Sequence, residues 1–338
     1  MEVTEEISKN LMRIACITMQ KNEDMVLKPW ILYHGYHFGF ENLFIIDHGS
    51  DNSDVIKTLE IAEANGVNVN RISADVNFRL KGELVSDALR QADSKGIYDF
   101  LLPIDCDEFL AARTQEGKPT CSRRDISLLF CNLIGESRVL EIKENFLNWL
   151  GHPAKYLALP YQKVFFARGC CGSVDPGSHR GISLKSSESL ETPFSYIHFH
   201  NKSYEAQVRL SRDKLKPFVD VDDRAALEQF QGDGWHLVSN LLLSREDWER
   251  KFESSKNCIF FPEIIDLFFL LGIDPFFCGD QEMAMRFNTF VRWPLPQKLP
   301  KDFDPERYLA LNPDVREGGA DPVRHWQEYG YREGRQWK

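Results

Sequence analysis

The first hundred residues alternate between two hydrophobic rhythms. Short apolar runs, rich in β-branched residues, occur at 13–18 (RIACIT), 42–47 (NLFIID), 67–73 (VNVNRIS) and 98–105 (YDFLLPID). Between them, apolar residues recur at helical spacing. The first such segment should start near Leu27, because Pro29 is tolerated only within a first turn, and should stop at Gly39. The second covers 53–64 and ends on Asn65-Gly66. The third covers 81–96, with Leu84, Val85, Ala88, Leu89 and Ala92 on one face. Strands alternating with helices of this length predict a parallel sheet with helices on its faces. Sheets of that kind bind ligands outside the carboxyl ends of their strands.

Beyond Phe109 the rhythm weakens. A polar loop is expected at 114–125, strand and turn at 137–151, one or two strands at 156–169, a glycine-rich loop at 172–183 and a strand at 194–201. Helices follow at about 203–216 and 222–231, so this half reads as α+β. A proline-rich stretch, 293–306, leads into a tail with two short helices, preceded by Asp304-Pro305 and Asp321-Pro322. Tyr308, Leu309, Leu311, Val315, Trp326 and Tyr329 are its expected core.

Composition narrows the class. Of 338 residues, 43% are hydrophobic and 27% charged, the balance of an ordinary soluble chain. A net charge of -10 argues against a broad nucleic-acid surface, but a nucleotide needs only a local cation or a metal. The eight cysteines form no CxxC pair and read as reduced thiols in a cytoplasmic protein. The acidic start MEVTEEISKN is not a signal peptide. The most apolar segment, 259–277, is interrupted by Pro262, Glu263, Asp266, Asp274 and Pro275. It reads as a buried helix rather than a membrane span, with a peripheral membrane contact as the lesser alternative.

The run LLPIDCDEFL, 101–110, ends a buried strand in three acids: Asp105, Asp107 and Glu108. On an extended backbone Asp105 and Asp107 point to one side, where they repel unless a cation separates them. Mg²⁺ and Mn²⁺ are the hard ions such oxygens suit. A capped loop with solvated acids is the plain alternative.

CITMQKNEDMVLKPWILYHGYHFGFENLFIIDHGSDNS, followed by LLPIDCDEFL, NWLGH, QKVFFARG…SHRG and HFHNKSYEAQ, resembles in order the motifs of a bacterial branch of family-two-like glycosyltransferases. Leu150 stands where that branch usually has Phe, and Phe199 where it usually has Tyr. The resemblance implies a GT-A fold, a Rossmann-like α/β sandwich that transfers sugars from nucleotide donors with the help of a metal. It implies a catalytic domain over about 10–295, with a nucleotide-binding half at 10–112 and an acceptor half at 125–295. The tail, 301–338, resembles a small helical module found on bacterial polysaccharide glycosyltransferases.

Carried over residue by residue, the resemblance gives Thr18, Glu23, Asp47 and Asp105 to the nucleotide, and Asp105 and Asp107 to Mn²⁺ or Mg²⁺. His198 is expected to complete the metal site, with His200 as the alternative because both face one side of a strand. Glu108 fits the pattern as a supporting acid. Lys81, Lys163 and Arg180 are candidates to neutralise a diphosphate, and His152 and His179 lie in loops on the acceptor side. Inversion needs a carboxylate base, for which Asp175 and Asp233 are the loop acids available. The expected partners are a UDP-sugar and a glycan or lipid-linked acceptor. A nucleotidyltransferase on the same sheet, or an inactive glycan-binding module, are the alternatives. The first of these would place a glycine-rich loop after the first strand, and TMQKNED has no glycine.

Overall fold

The computed structural model describes residues 12–232, 234–252, 258–278, 299–300, 302–317, 321–327 and 335–338. The chain divides into two compact units, Met1–Phe287 and Asn288–Lys338.

The predicted alternation folds as a parallel sheet. β1 (Ile14–Gln20), β2 (Leu43–His48), β3 (Asn68–Ile72) and β4 (Phe100–Pro103) are joined by helices Leu27–Phe38, Ser53–Ala64 and Lys81–Ser94. Asn52 starts the second of these helices by accepting from the amides of Asp54 and Val55, so the polar tract 49–52 acts as a helix start. β1 is buried along its whole length, as a strand covered on both faces must be. Ala15, Ile17 and Met19 pack with Val85, Leu89 and Ala92 of the helix Lys81–Ser94. The helix Leu27–Phe38 packs on β1, β2 and the strand Glu108–Arg113, with Trp30 and Tyr33 fully buried. The Tyr33 hydroxyl pins it by donating to the Leu110 carbonyl at 2.6 Å.

The second half contributes two more layers of strand. β5 (Glu108–Arg113), β6 (Pro119–Thr120), β7 (Val139–Ile142), β8 (Glu144–Asn148), β9 (Lys155–Leu159), β10 (Lys163–Ala167), β11 (Cys171–Val174), β12 (Gly181–Ser183), β13 (Ser189–Glu191), β14 (Phe194–His198) and β15 (Cys258–Phe260) follow in chain order. The main sheet has the order β13-β7-β10-β4-β1-β2-β3, in which β10 runs antiparallel to both β4 and β7. A six-stranded sheet, β15-β9-β8-β14-β5-β6, stands beside it, and β11 and β12 form a hairpin. A parallel β3-β2-β1-β4 core extended by an antiparallel strand, with a second sheet leaving directly after β4, is a Rossmann-like α/β fold of GT-A type. The segment 137–151, expected as one strand and a turn, is two strands separated by Lys143, each in a different sheet.

Residues 123–131, partly inside the expected polar loop, form the helix Arg123–Cys131, capped by the Ser122 hydroxyl. The apolar segment 259–277 holds one nine-residue helix, Glu263–Leu271, with Ile264, Ile265 and Phe268 buried. Among the described residues no helix is long and apolar enough to cross a membrane. In the second unit, helices Pro305–Leu311, Pro313–Glu317 and Pro322–His325 enclose Tyr308, Val315 and Trp326, with Phe303 and Trp337 against them. Leu311, an expected core residue, is exposed, and Tyr329 lies outside the described residues.

Candidate functional site

The parallel register brings the strand ends named by the sequence to one edge. Gln20 pairs with Asp47 across β1 and β2, and Ile17 pairs with Pro103 across β1 and β4. Asp47, Thr18 and Asp105 therefore sit at the carboxyl ends of three neighbouring strands, where an open α/β sheet presents its ligand crevice. Thr18 is buried and its hydroxyl has no partner among the described residues. The Asp47 carboxylate accepts from Gln20 Nε2 at 2.6 Å and from the Ser50 hydroxyl at 2.5 Å.

The loop after β1 is held by Asn22, which takes a left-handed backbone (φ 54°). Its Oδ1 accepts from the amides of Asp51 and Asn52 at 3.0 Å, its Nδ2 donates to Asp51 at 2.7 Å, and its own amide donates to Ser50 Oγ. Asn22 thus staples the loops that follow β1 and β2. Glu23, the next residue, lies 3.4 Å from Lys214 on the helix Tyr204–Leu215.

The chain does not run extended through Asp105 and Asp107. It turns, with the Glu108 amide donating to the Asp105 carbonyl at 3.0 Å, and the two carboxylates meet different partners. Asp105 lies between two lysines: Lys81 Nζ is 2.6 Å from Oδ1 and Lys163 Nζ is 2.5 Å from Oδ2. Burial pushes the Asp105 carboxyl up, but the two ammonium groups outweigh it and hold it well below the usual carboxylate range. Lys163 comes from β10, is 1% exposed, and spends all three donors inside the protein: on Asp105, on Glu108 Oε2 at 3.0 Å and on the Gly177 carbonyl at 2.7 Å. A lysine so committed has no proton left for a diphosphate. Lys81 begins the helix Lys81–Ser94 and keeps two donors beyond the bond to Asp105. Glu108 is pushed above its ordinary value by burial, in spite of Lys163 beside it.

Asp107 faces the other way. β14 runs antiparallel to β5 with His198 opposite Glu108, and the Phe199 amide continues the ladder onto the Asp107 carbonyl at 2.8 Å. This places His198 Nε2 3.5 Å from Asp107 Oδ2 and the His200 ring 5.2 Å from the His198 ring. One ligand atom each from Asp107, His198 and His200 lies within 4.8 Å of the others. A carboxylate and two imidazoles suit a borderline divalent ion such as Mn²⁺ better than Mg²⁺, which prefers an all-oxygen shell. Both histidines, rather than one of the two, belong to this cluster.

Burial raises the Asp107 carboxyl, but His198 and Lys202 hold it well below its ordinary value. Burial lowers His198, and the Asp107 carboxylate more than offsets that and raises it. His200 is lowered to about 4, first by burial and then by His198.

Lys202 is a residue that the motif HFHNKS contained and to which the sequence reading gave no role. It is 5% exposed, its ammonium is 3.7 Å from Asp107 Oδ2, and among the described residues it makes one hydrogen bond, to the Phe199 carbonyl at 3.2 Å. Asp107 and Glu23 raise its pKa against the effect of burial. It is a buried cation with donors to spare, beside the three candidate ligands. The only sequence signal for it is its place two residues after His200.

The loop acids and histidines are placed as follows. Asp175 closes the loop between β11 and β12, its Oδ1 accepting from the amides of His179 and Arg180. His179 and Arg180 are exposed, and His179 Nδ1 meets the Gln162 carbonyl at 2.6 Å. His152 sits against Phe260 and accepts from the Ala154 amide at 3.3 Å. Asp233 lies outside the described residues.

No protein-family model matches the chain, and neither does any curated protein sequence. Several solved structures do. A cytidylyltransferase from Leptospira borgpetersenii is 17% identical over 39% of this chain and 54% of its own, with a TM-score of 0.25. The chain therefore spans about half the length of that relative. Residues 1–349 of S. aureus TarS are 13% identical over 97% of this chain and 93% of their own, with a TM-score of 0.31. The same TarS fragment in complex with UDP-GlcNAc is 12% identical over the same shares, with a TM-score of 0.32. These likenesses are distant, and the fold stands on the strand order and register described above.

Proposed function

We propose that this chain is a metal-dependent glycosyltransferase. In this reading it takes a sugar from a nucleotide donor, UDP-linked by expectation, and passes it with inversion to a glycan or lipid-linked acceptor in the cytoplasm. The observation that supports the reading is the grouping of Thr18, Asp47 and lysine-held Asp105 on three adjacent strand ends, next to the Asp107–His198–His200 cluster. Nucleoside and diphosphate would lie across that edge, with the base toward Asp47 and the phosphates toward Asp107.

A divalent ion on Asp107, His198 and His200, Mn²⁺ before Mg²⁺, would offset the charge of the departing diphosphate. The chain's own part is to present cations of fixed position. Lys202 and Lys81 have hydrogen-bond donors left for phosphate oxygens, whereas Lys163 keeps Asp105 ionised and oriented. Of the two acids proposed as base, Asp175 has Oδ1 engaged by backbone amides, which leaves Oδ2 to take a proton.

The test is a screen of donor hydrolysis over a panel of nucleotide sugars with Mn²⁺. Release of UDP from one or more UDP-sugars is expected. Release of pyrophosphate from nucleoside triphosphates, with no turnover of any nucleotide sugar, would instead establish nucleotidyl transfer.

A further inference from the structure

We propose that Asn145 sets the tautomer of His198, and so decides whether the ring can act as a ligand; this rests on the metal-site reading above. β8 lies parallel to β14 with Asn145 opposite Tyr196, and the Asn145 side chain is 1% exposed. Its Nδ2 lies 3.2 Å from His198 Nδ1 and 3.4 Å from the Tyr196 hydroxyl oxygen. The Tyr196 proton is engaged, because that hydroxyl donates to the Tyr161 carbonyl at 3.1 Å. The amide nitrogen therefore donates in both directions, and Nδ1 of a neutral His198 ring accepts. The ring proton is then on Nε2, the atom 3.5 Å from Asp107 Oδ2. In this tautomer Nε2 has no lone pair to give to an ion.

For Nε2 to bind an ion the proton must move to Nδ1, and Nδ1–H needs an acceptor opposite it. Asn145 carries that acceptor on its other arm: Oδ1 is buried and has no partner among the described residues. Turning the amide over brings Oδ1 to Nδ1. It gives up the bond that the Tyr196 hydroxyl oxygen accepts and turns the amide donors to the side where Oδ1 had no partner, a cost that the bound ion must offset. Asn145 is thus a two-position positioning residue, with nitrogen toward His198 in the metal-free protein and oxygen toward it when the ring is a ligand. Asparagine is suited to the task because one side chain offers both a donor and an acceptor. An aspartate at this position would offer an acceptor only, and would favour the ligand tautomer permanently.

Two measurements test this. In histidine-¹⁵N NMR of the metal-free chain, at a pH where the ring is neutral, His198 should be the Nε2–H tautomer in the wild type. In Asn145→Asp it should be the Nδ1–H tautomer. A wild-type Nδ1–H tautomer, or one unchanged by the substitution, overturns the proposal, and the wild-type spectrum alone settles the first point even if the variant does not fold. In Mn²⁺ titrations followed by electron paramagnetic resonance with UDP present, Asn145→Asp should bind the ion about tenfold more tightly than wild type, the lower end of such supporting effects. That gain should vanish in a His198→Ala background; a gain that survives there reflects added charge only and overturns the tautomer account. If neither wild type nor variant binds Mn²⁺, the metal-site reading fails, while the NMR result still decides the role of Asn145.

Discussion

Lys163 gives the sharpest stability test. Replacing it with Met keeps the aliphatic stem and removes an ammonium that makes contacts of 2.5, 2.7 and 3.0 Å with Asp105, Gly177 and Glu108. Breaking a buried ion pair from one side costs about 3–5 kcal/mol, because the partner charges remain without compensation. Lys81 still faces Asp105, so the burden falls on Glu108, which is 1% exposed and already held above its ordinary value by burial. A carboxyl whose folded pKa is raised destabilises the fold above the unfolded value, here 4.5, and stops doing so below it. Without Lys163 the Glu108 pKa rises further. The deficit of the variant relative to wild type should therefore be about 3–5 kcal/mol at pH 7 and should shrink as the pH falls toward the unfolded value. Urea unfolding of both proteins across that range measures it, and Lys163→Met with Glu108→Gln should recover part of the loss. A deficit under about 1 kcal/mol at pH 7, or one independent of pH, would refute the claim that this lysine is structural.

Asp107→Ala should abolish Mn²⁺ binding and also lower Tm by a few degrees, since Lys202 loses its nearest acid; differential scanning calorimetry checks the second part, and an unchanged Tm would contradict it. His37 is buried with neither ring nitrogen partnered among the described residues, and its pKa is lowered to about 3, chiefly by burial. A base so depressed lets the unfolded chain take up a proton that the folded chain refuses, so stability falls as pH drops below the unfolded value of 6.5. His37→Phe should relieve about 2 kcal/mol of the loss between neutral pH and pH 5, and equal acid sensitivity in both proteins would contradict this. Asn22→Ala removes the staple between the loops after β1 and β2, and should weaken nucleotide binding more than Asn22→Asp, which keeps the acceptor for the two amides.

The first four strands and their helices were legible because each is a local pattern with local punctuation. Gly39, Asn65-Gly66 and the position of Pro29 are enough to bound helices to within a residue or two. The strand at Glu108–Arg113 was hidden because it opens on a buried glutamate, which reads as loop until Lys163 is placed beside it. The helix Arg123–Cys131 was hidden because its capping serine lies in a stretch of polar residues. At the site, the strand-end acids could be read because the motif that holds them is contiguous. The division of Asp105 from Asp107 could not, since it depends on a turn of backbone and on lysines from the helix Lys81–Ser94 and from β10. Asn145 meets His198 across the pairing of β8 and β14, 53 residues away in the chain, which no local pattern announces.

Nucleotide and metal are proposed to share the edge formed by β2, β1 and β4. Calorimetric titration of the chain with UDP, in the presence and absence of Mn²⁺, tests this most directly. The account predicts that UDP binds, that Mn²⁺ tightens it, and that the tightening is lost in both His198→Ala and His200→Ala. Absence of UDP binding in either condition would contradict the claim outright.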